Sequence, residues 1–283
     1  MIYLLIVSLL WAFSFGLIKD NLTGLDPNFV SFVRIGISFF LFLPFIKIKN
    51  VELRLVKKLM FTGALQFGLM YISYIYAFQY LQAYEVALFT IFTPIYVTLI
   101  NDLFSKKFNK SFFISALFSV IGTAVIKYED INSTIITGFL IVQVSNLCFA
   151  FGQIYYRKVM STNSHSDKSI FAYVYLGAAI ITFIFASVTT NYSDLIITNK
   201  QIFTLLYLGI AASGIGFFLW NYGARKVNSG TLAVFNNLKI PIAVAVSLLV
   251  FGESGNILRL FIGGIIVIGA LYLNEKVKIK MPA

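Results

Sequence analysis

Carboxylates are scarce in this chain, and none lies deep in an apolar run. Asp and Glu total 11 among 283 residues, and Asp20, Glu85, Asp102 and Glu253 all fall at the ends of hydrophobic stretches. That argues against a proton relay through a buried acid, and favours exchange, facilitated efflux or lysine-based coupling. Cysteine is nearly absent: Cys148 is alone, so no disulfide forms within the chain. His165 is the single histidine, in the polar loop Ser161-Thr162-Asn163-Ser164-His165-Ser166, where it reads as solvated. One His and one Cys do not make a zinc site of standard ligand type, so no metal is expected. Gly-x-Ser-x-Gly, His-x-Glu and Walker patterns are all missing, so the chain does not read as an enzyme or an ATPase, and no cofactor is implied. Charge of either sign is sparse, at 12% of residues against about one-quarter in a soluble domain.

Hydrophobic residues fill that space. They make up 59% of the chain, with 30 Phe and 16 Tyr, and the mean hydropathy is +0.87. This is the composition of an all-α polytopic membrane protein, since a span needs about 20 mostly apolar residues. Ten spans are read at about 2–18, 28–46, 59–80, 85–104, 111–127, 135–156, 169–189, 202–223, 229–251 and 256–274. The first has no charged leader and no small-residue cleavage site, so it reads as a retained helix. The net charge of +11 reflects loop placement and not nucleic-acid binding. With the N-terminus inside, the inner loops and tail hold 16 Lys and Arg, while the outer loops hold Lys19, Lys127, Lys200 and Arg259. That bias puts both termini in the cytoplasm. The richness in Ile, Lys, Asn and Phe fits an A+T-rich bacterial genome, hence a bacterial inner membrane.

The two halves resemble each other. Phe13-Ser14-Phe15-Gly16-Leu17-Ile18 reads like Phe149-Ala150-Phe151-Gly152-Gln153-Ile154. Tyr76, Leu81, Ala87 and Phe89 answer to Tyr222, Val227, Ala233 and Phe235 at an offset of 146; Pro94 and Phe104 answer to Pro241 and Phe251 at 147. Repeats over 1–130 and 131–283 follow, each of five spans. An odd span count sets the second copy upside down, the arrangement of many secondary transporters. The extra residue of the second copy falls in Asn236-Asn237-Leu238-Lys239-Ile240, where a π-bulge is expected. Pro94 and Pro241 are the candidate hinges, because proline removes a helical hydrogen bond.

Trp11-Ala12-Phe13-Ser14-Phe15 in span 1, with Pro27 and Arg34 entering span 2, resembles the opening of EamA-type transporters of the drug/metabolite transporter superfamily. The Pro241 region, Phe251-Gly252-Glu253 and Gly263, Gly264 and Gly269 are similar to the pattern that ends each EamA repeat. The first copy departs from it, reading Ser105-Lys106, which favours a structural role for Glu253. The resemblance implies a ten-helix inner-membrane carrier with a central cavity and a small-molecule cargo. Relatives in that family export amino acids and other metabolites, or move sugars and nucleotide-sugars.

Lys239 stands out among the residues themselves. A lysine at the centre of a span costs about 3 kcal/mol to insert. It reads either as a fixed cation for a carboxylate or phosphate on the cargo, or as a structural lysine held by neighbouring carbonyls. Asn236 and Asn237 point about 100° apart on a helix, so at least one faces protein. Trp220, Asn221, Tyr71, Tyr74, Gln66, Trp11 and Ser14 are further candidates for the cavity, with helix packing as the alternative. Gln143, Asn146 and Gln153 form one helical stripe that either lines a path or zips two helices. Arg34 either snorkels to the interface or pairs with Glu85 in a gate. The expected function is export of small organic metabolites by alternating access, most simply amino acids or related carboxylates. The alternatives are a carrier of nucleotide-sugars or phosphorylated metabolites, and a lipid scramblase or structural membrane protein. Beyond cargo and lipids no partner is implied, and the oligomeric state is left open, with a monomer plausible.

Overall fold

The computed structural model describes residues 1–105, 132–227 and 229–253, with isolated positions thereafter. The expected spans 111–127 and 256–274 lie outside the described residues, apart from those isolated positions. The described chain is helical, with no strand. Its helices are α1 (Ile2–Leu22), α2 (Pro27–Phe45), α3 (Leu53–Ala77), α4 (Ala83–Phe104), α5 (Ser133–Ser161), α6 (Asp167–Thr189) and α7 (Asn199–Ala224), then α8 (Ser229–Leu249). The first seven are long and apolar enough to cross a membrane.

Local sequence sets the helix starts. Asp26 accepts a hydrogen bond from Phe29 N at 2.8 Å and Pro27 follows at the first helical position, so α2 begins there. Asn132 caps α5, and Thr198 with Gln201 forms a capping box on α7. The start of α4 is capped twice. Glu85 accepts from Gln82 N at 2.8 Å, and Glu253 accepts from Ala83 N and Tyr84 N at 2.7 and 3.0 Å. Glu253 therefore ties the end of α8 to the start of α4, a structural role. Gly252 makes this possible, since its φ of +67° suits glycine after a helix end.

Interruptions of the helices fall at matching places. α3 contains a π turn at Ala64–Leu69 and α7 contains one at Leu208–Ile215. The π-bulge expected at Asn236–Ile240 is absent: α8 stays α-helical there, with Pro241 inside it. At the matching place in the first copy, α4 contains a 3-10 turn at Thr90–Phe92. Three residues of 3-10 helix rise about 6 Å, against about 4.5 Å in an α-helix.

At one end of the bundle, Asp167 joins three helices. Its carboxylate accepts from Tyr156 Oη at 2.6 Å and pairs with Arg225, which also donates to Met160 O at 3.2 Å. Asp167→Ala strands a buried hydroxyl and a partly buried guanidinium. The expected loss is about 2 kcal/mol, seen as a melting temperature lower by about 6 °C in detergent.

Candidate functional site

A cavity of about 60 Å³ lies within the bundle. α1 contributes Trp11, Ser14 and Phe15; α2, Arg34; α3, Met70, Tyr71 and Tyr74; α4, Thr90 and Thr93; α5, Ser145, Asn146 and Phe149; α7, Phe217; α8, Lys239. Both halves of the chain build it. Its walls are largely aromatic, and among the described residues its lining holds two cations and no carboxylate.

Lys239 is 6% exposed. Its ammonium stands 5.1 Å from the Trp11 ring and 5.7 Å from the Phe149 ring. Among the described residues it has neither an ion-pair partner nor a hydrogen-bond acceptor. Ring faces partly compensate a desolvated cation, but they supply no counter-charge.

Arg34 is 1% exposed and turned inward, so it does not snorkel. Its Nη2 donates to Tyr71 Oη at 2.7 Å and Ser213 Oγ at 3.2 Å, and its guanidinium lies 4.6 Å from the Tyr71 ring. Among the described residues its Nε and Nη1 have no partner. The expected pairing with Glu85 does not form. The Glu85 carboxylate instead accepts from Gln82 N in the capping box that starts α4.

The interrupted turns explain how polar side chains are held. In the π turn, Ser213 Oγ donates to Leu208 O, five residues back, at 2.8 Å. Other carbonyls of that turn accept from Trp11 Nε1 (Ala212 O, 2.8 Å), Ser38 Oγ (Gly209 O, 2.9 Å) and Tyr175 Oη (Gly214 O, 2.6 Å). In α4 the 3-10 turn takes Thr93 N to Thr90 O. That releases Phe89 O, which accepts from Asn146 Nδ2 at 2.8 Å. Thr93 Oγ1 donates to Asn146 Oδ1 at 3.1 Å, so the Asn146 carboxamide is fixed by its neighbours.

Of the residues singled out in the sequence, Lys239, Trp11, Ser14, Tyr71, Tyr74, Asn146 and Arg34 meet at this cavity. Seven others do not line it. Gln66 donates to Asn221 Oδ1 at 3.1 Å, and Trp220 Nε1 donates to Gln153 Oε1 at 3.2 Å, a buried layer behind the Trp11 ring. Gln143 bonds Asn146 and Tyr96. Asn236 turns back onto Leu232 O at 3.0 Å, and the Oδ1 atoms of both Asn236 and Asn237 lack partners. Phe15, Met70, Thr90, Thr93, Ser145, Phe149 and Phe217 were not anticipated. Ser145 and Thr93 had a signal, each being a small polar residue beside a flagged position or a proline. The phenylalanines had none among 30 in the chain.

Membrane-length helices enclosing a small buried cavity with fixed charges define a polytopic transporter of small molecules. The chain belongs to the EamA-like transporter family, whose model matches residues 1–128 and again 136–274. It is 37% identical to the biotin transporter of Escherichia coli K12 over 278 residues, covering 98% of this chain and 93% of the relative. It is 36% identical to the biotin transporter of Salmonella typhimurium over the same shares. The probable biotin transporter of Pseudomonas aeruginosa is 36% identical, with 96% of each chain covered. A solved crystal structure with 15% identity superposes with a TM-score of 0.73 over 99% of this chain and 98% of its own, a likeness of fold alone.

Proposed function

We propose that the chain is a secondary transporter for biotin or a closely related small carboxylate. It works by alternating access between its two repeats in a bacterial inner membrane, with both termini cytoplasmic. One observation carries the reading: among the described residues the cavity lining holds two buried cations and no acid. Uncompensated charge inside a membrane protein is expensive, and an anionic cargo removes that cost. A free amino acid brings an ammonium as well as a carboxylate. Among the described residues the lining has two cations to repel that ammonium and no carboxylate to hold it. The reading therefore moves from amino acids to carboxylates without an amino group, the class to which biotin belongs.

Lys239 holds the carboxylate, and Trp11, Phe149, Phe217 and Met70 pack against the apolar part of the cargo. The cavity as it stands takes a few waters. The helices must part to admit a bicyclic ligand, with Pro94 and Pro241 as the bending points. The 16-to-4 distribution of Lys and Arg supports the orientation.

The test is uptake of labelled biotin into proteoliposomes carrying the purified chain, with unlabelled competitors. Biotin is expected to saturate uptake and to compete at micromolar concentration. Alanine, leucine and glutamate are expected to compete about 100-fold less well. Equal competition by an amino acid and by biotin would sink the reading.

A further inference from the structure

We infer that Arg34 reads a neutral carbonyl at the end of the cargo opposite its carboxylate. The cargo class is then a monoanion with an apolar middle and a urea-type or amide-type acceptor at its far end. The inference rests on the preceding reading of Lys239 as the partner of the carboxylate.

Lys239 and Arg34 both line the cavity, and a run of aromatic rings links one to the other. From Lys239 the Phe149 ring is 5.7 Å away; Phe149 lies 6.3 Å from Phe217, Phe217 lies 5.4 Å from Tyr71, and Tyr71 lies 4.6 Å from the Arg34 guanidinium. Trp11 adds a second face, 5.1 Å from Lys239 and 5.2 Å from Phe217. A ligand spanning this run meets a donor at each end and rings between them.

The two ends differ in what they lack. Lys239 has no hydrogen-bond acceptor among the described residues, so its need is for a counter-charge. Arg34 already has two acceptors, and the geometry accounts for both hydroxyl protons. Ser213 Oγ donates to Leu208 O, and Tyr71 Oη, 2.8 Å from Ser213 Oγ, donates to it. Both oxygens thus turn lone pairs to Arg34, which lies over the Tyr71 ring. What Arg34 lacks is acceptors for Nε and Nη1, which are buried and without a partner among the described residues. A strongly dipolar neutral carbonyl, as in a cyclic urea, fills that need without a second negative charge. Ser213 is the positioning residue here: the π turn of α7 fixes it, and it fixes the guanidinium.

The experiment measures competition against labelled biotin in proteoliposomes. Desthiobiotin keeps the urea and the carboxylate, nonanoate keeps the carboxylate and an apolar chain, and azelate carries a carboxylate at each end. For the wild-type chain, desthiobiotin is expected to compete within a few-fold of biotin and nonanoate about 100-fold less well. In Arg34→Gln and Arg34→Lys that discrimination is expected to shrink to about tenfold or less, through weaker biotin binding with nonanoate unchanged. Arg34→Lys keeps the charge, so it remains informative if the glutamine variant folds poorly. Ser213→Ala is expected to fall between, with a raised KM and an unchanged kcat. The inference is overturned if the Arg34 variants keep the full discrimination, if they weaken biotin and nonanoate equally, or if azelate outcompetes biotin. Lys239→Met reports separately, because it is expected to weaken every carboxylate alike. Its failure to do so would sink the preceding reading while leaving the biotin-to-nonanoate ratio as evidence on Arg34.

Discussion

Lys239→Met is expected to lower transport by about 100-fold while leaving the protein as stable as before or more so. Truncating one partner of a desolvated charged contact costs on the order of 3 kcal/mol, which is about a factor of 100. The stability half of the expectation comes from the folded protein. The Lys239 ammonium has no acid and no hydrogen-bond acceptor among the described residues, and only the Trp11 and Phe149 rings face it. Methionine has similar length and no charge, so it fills the same space without the insertion cost of about 3 kcal/mol. A structural lysine gives the opposite pattern, with transport retained and the melting temperature lowered. Uptake kinetics and thermal melting of one purified variant therefore separate the two roles.

Gly177→Ala is expected to remove about 3 kcal/mol of stability, a fall of roughly 8 °C in melting temperature. α3 and α6 cross at two glycines in a reciprocal contact. A Cβ on Gly177 would run into the backbone of Met60, and a Cβ on Gly63 would run into the backbone of Val174. Backbone cannot rotate aside as a side chain does, so the helices must separate. Small residues are what lets helices approach closely in a membrane, where packing replaces the hydrophobic effect. Gly36→Ala is the internal control. Nothing lies within 4 Å of a Cβ there, and alanine favours the helix, so stability is expected to hold or rise slightly. Equal losses at Gly36 and Gly177 would show that the close crossing is not what matters.

The fold was largely legible in the sequence. Apolar runs, caps such as Asp26-Pro27 and the repeat offsets lead to eight described helices near their expected places. The exceptional cost of Lys239 was legible too, because it depends only on a charge within an apolar run. Three features were not. The one-residue change of repeat offset predicts a bulge beside Lys239, whereas α8 stays α-helical there and the irregular turn lies in α4, at Thr90–Phe92. Arg34 sits close enough to a span end to snorkel, yet it is buried against Tyr71 and Ser213. Gln66, Asn221 and Trp220 are as polar as the cavity residues, yet they bond one another or Gln153 one layer away.

The amino-acid sequence by itself determined that the chain crosses a membrane as helices, which residues are costly to bury, and where helices begin. These depend on composition and on neighbours a few residues apart. Only the tertiary structure decided which polar side chains meet around the cavity. In a soluble helix the contrast between apolar and polar faces reveals the buried side. Here the lipid-facing and protein-facing sides are equally apolar, so that contrast fades. Close backbone approaches at Gly63 and Gly177 fix how α3 and α6 meet, and carbonyls at the π turn of α7 and the 3-10 turn of α4 hold side chains from other helices, contacts between residues far apart in the chain.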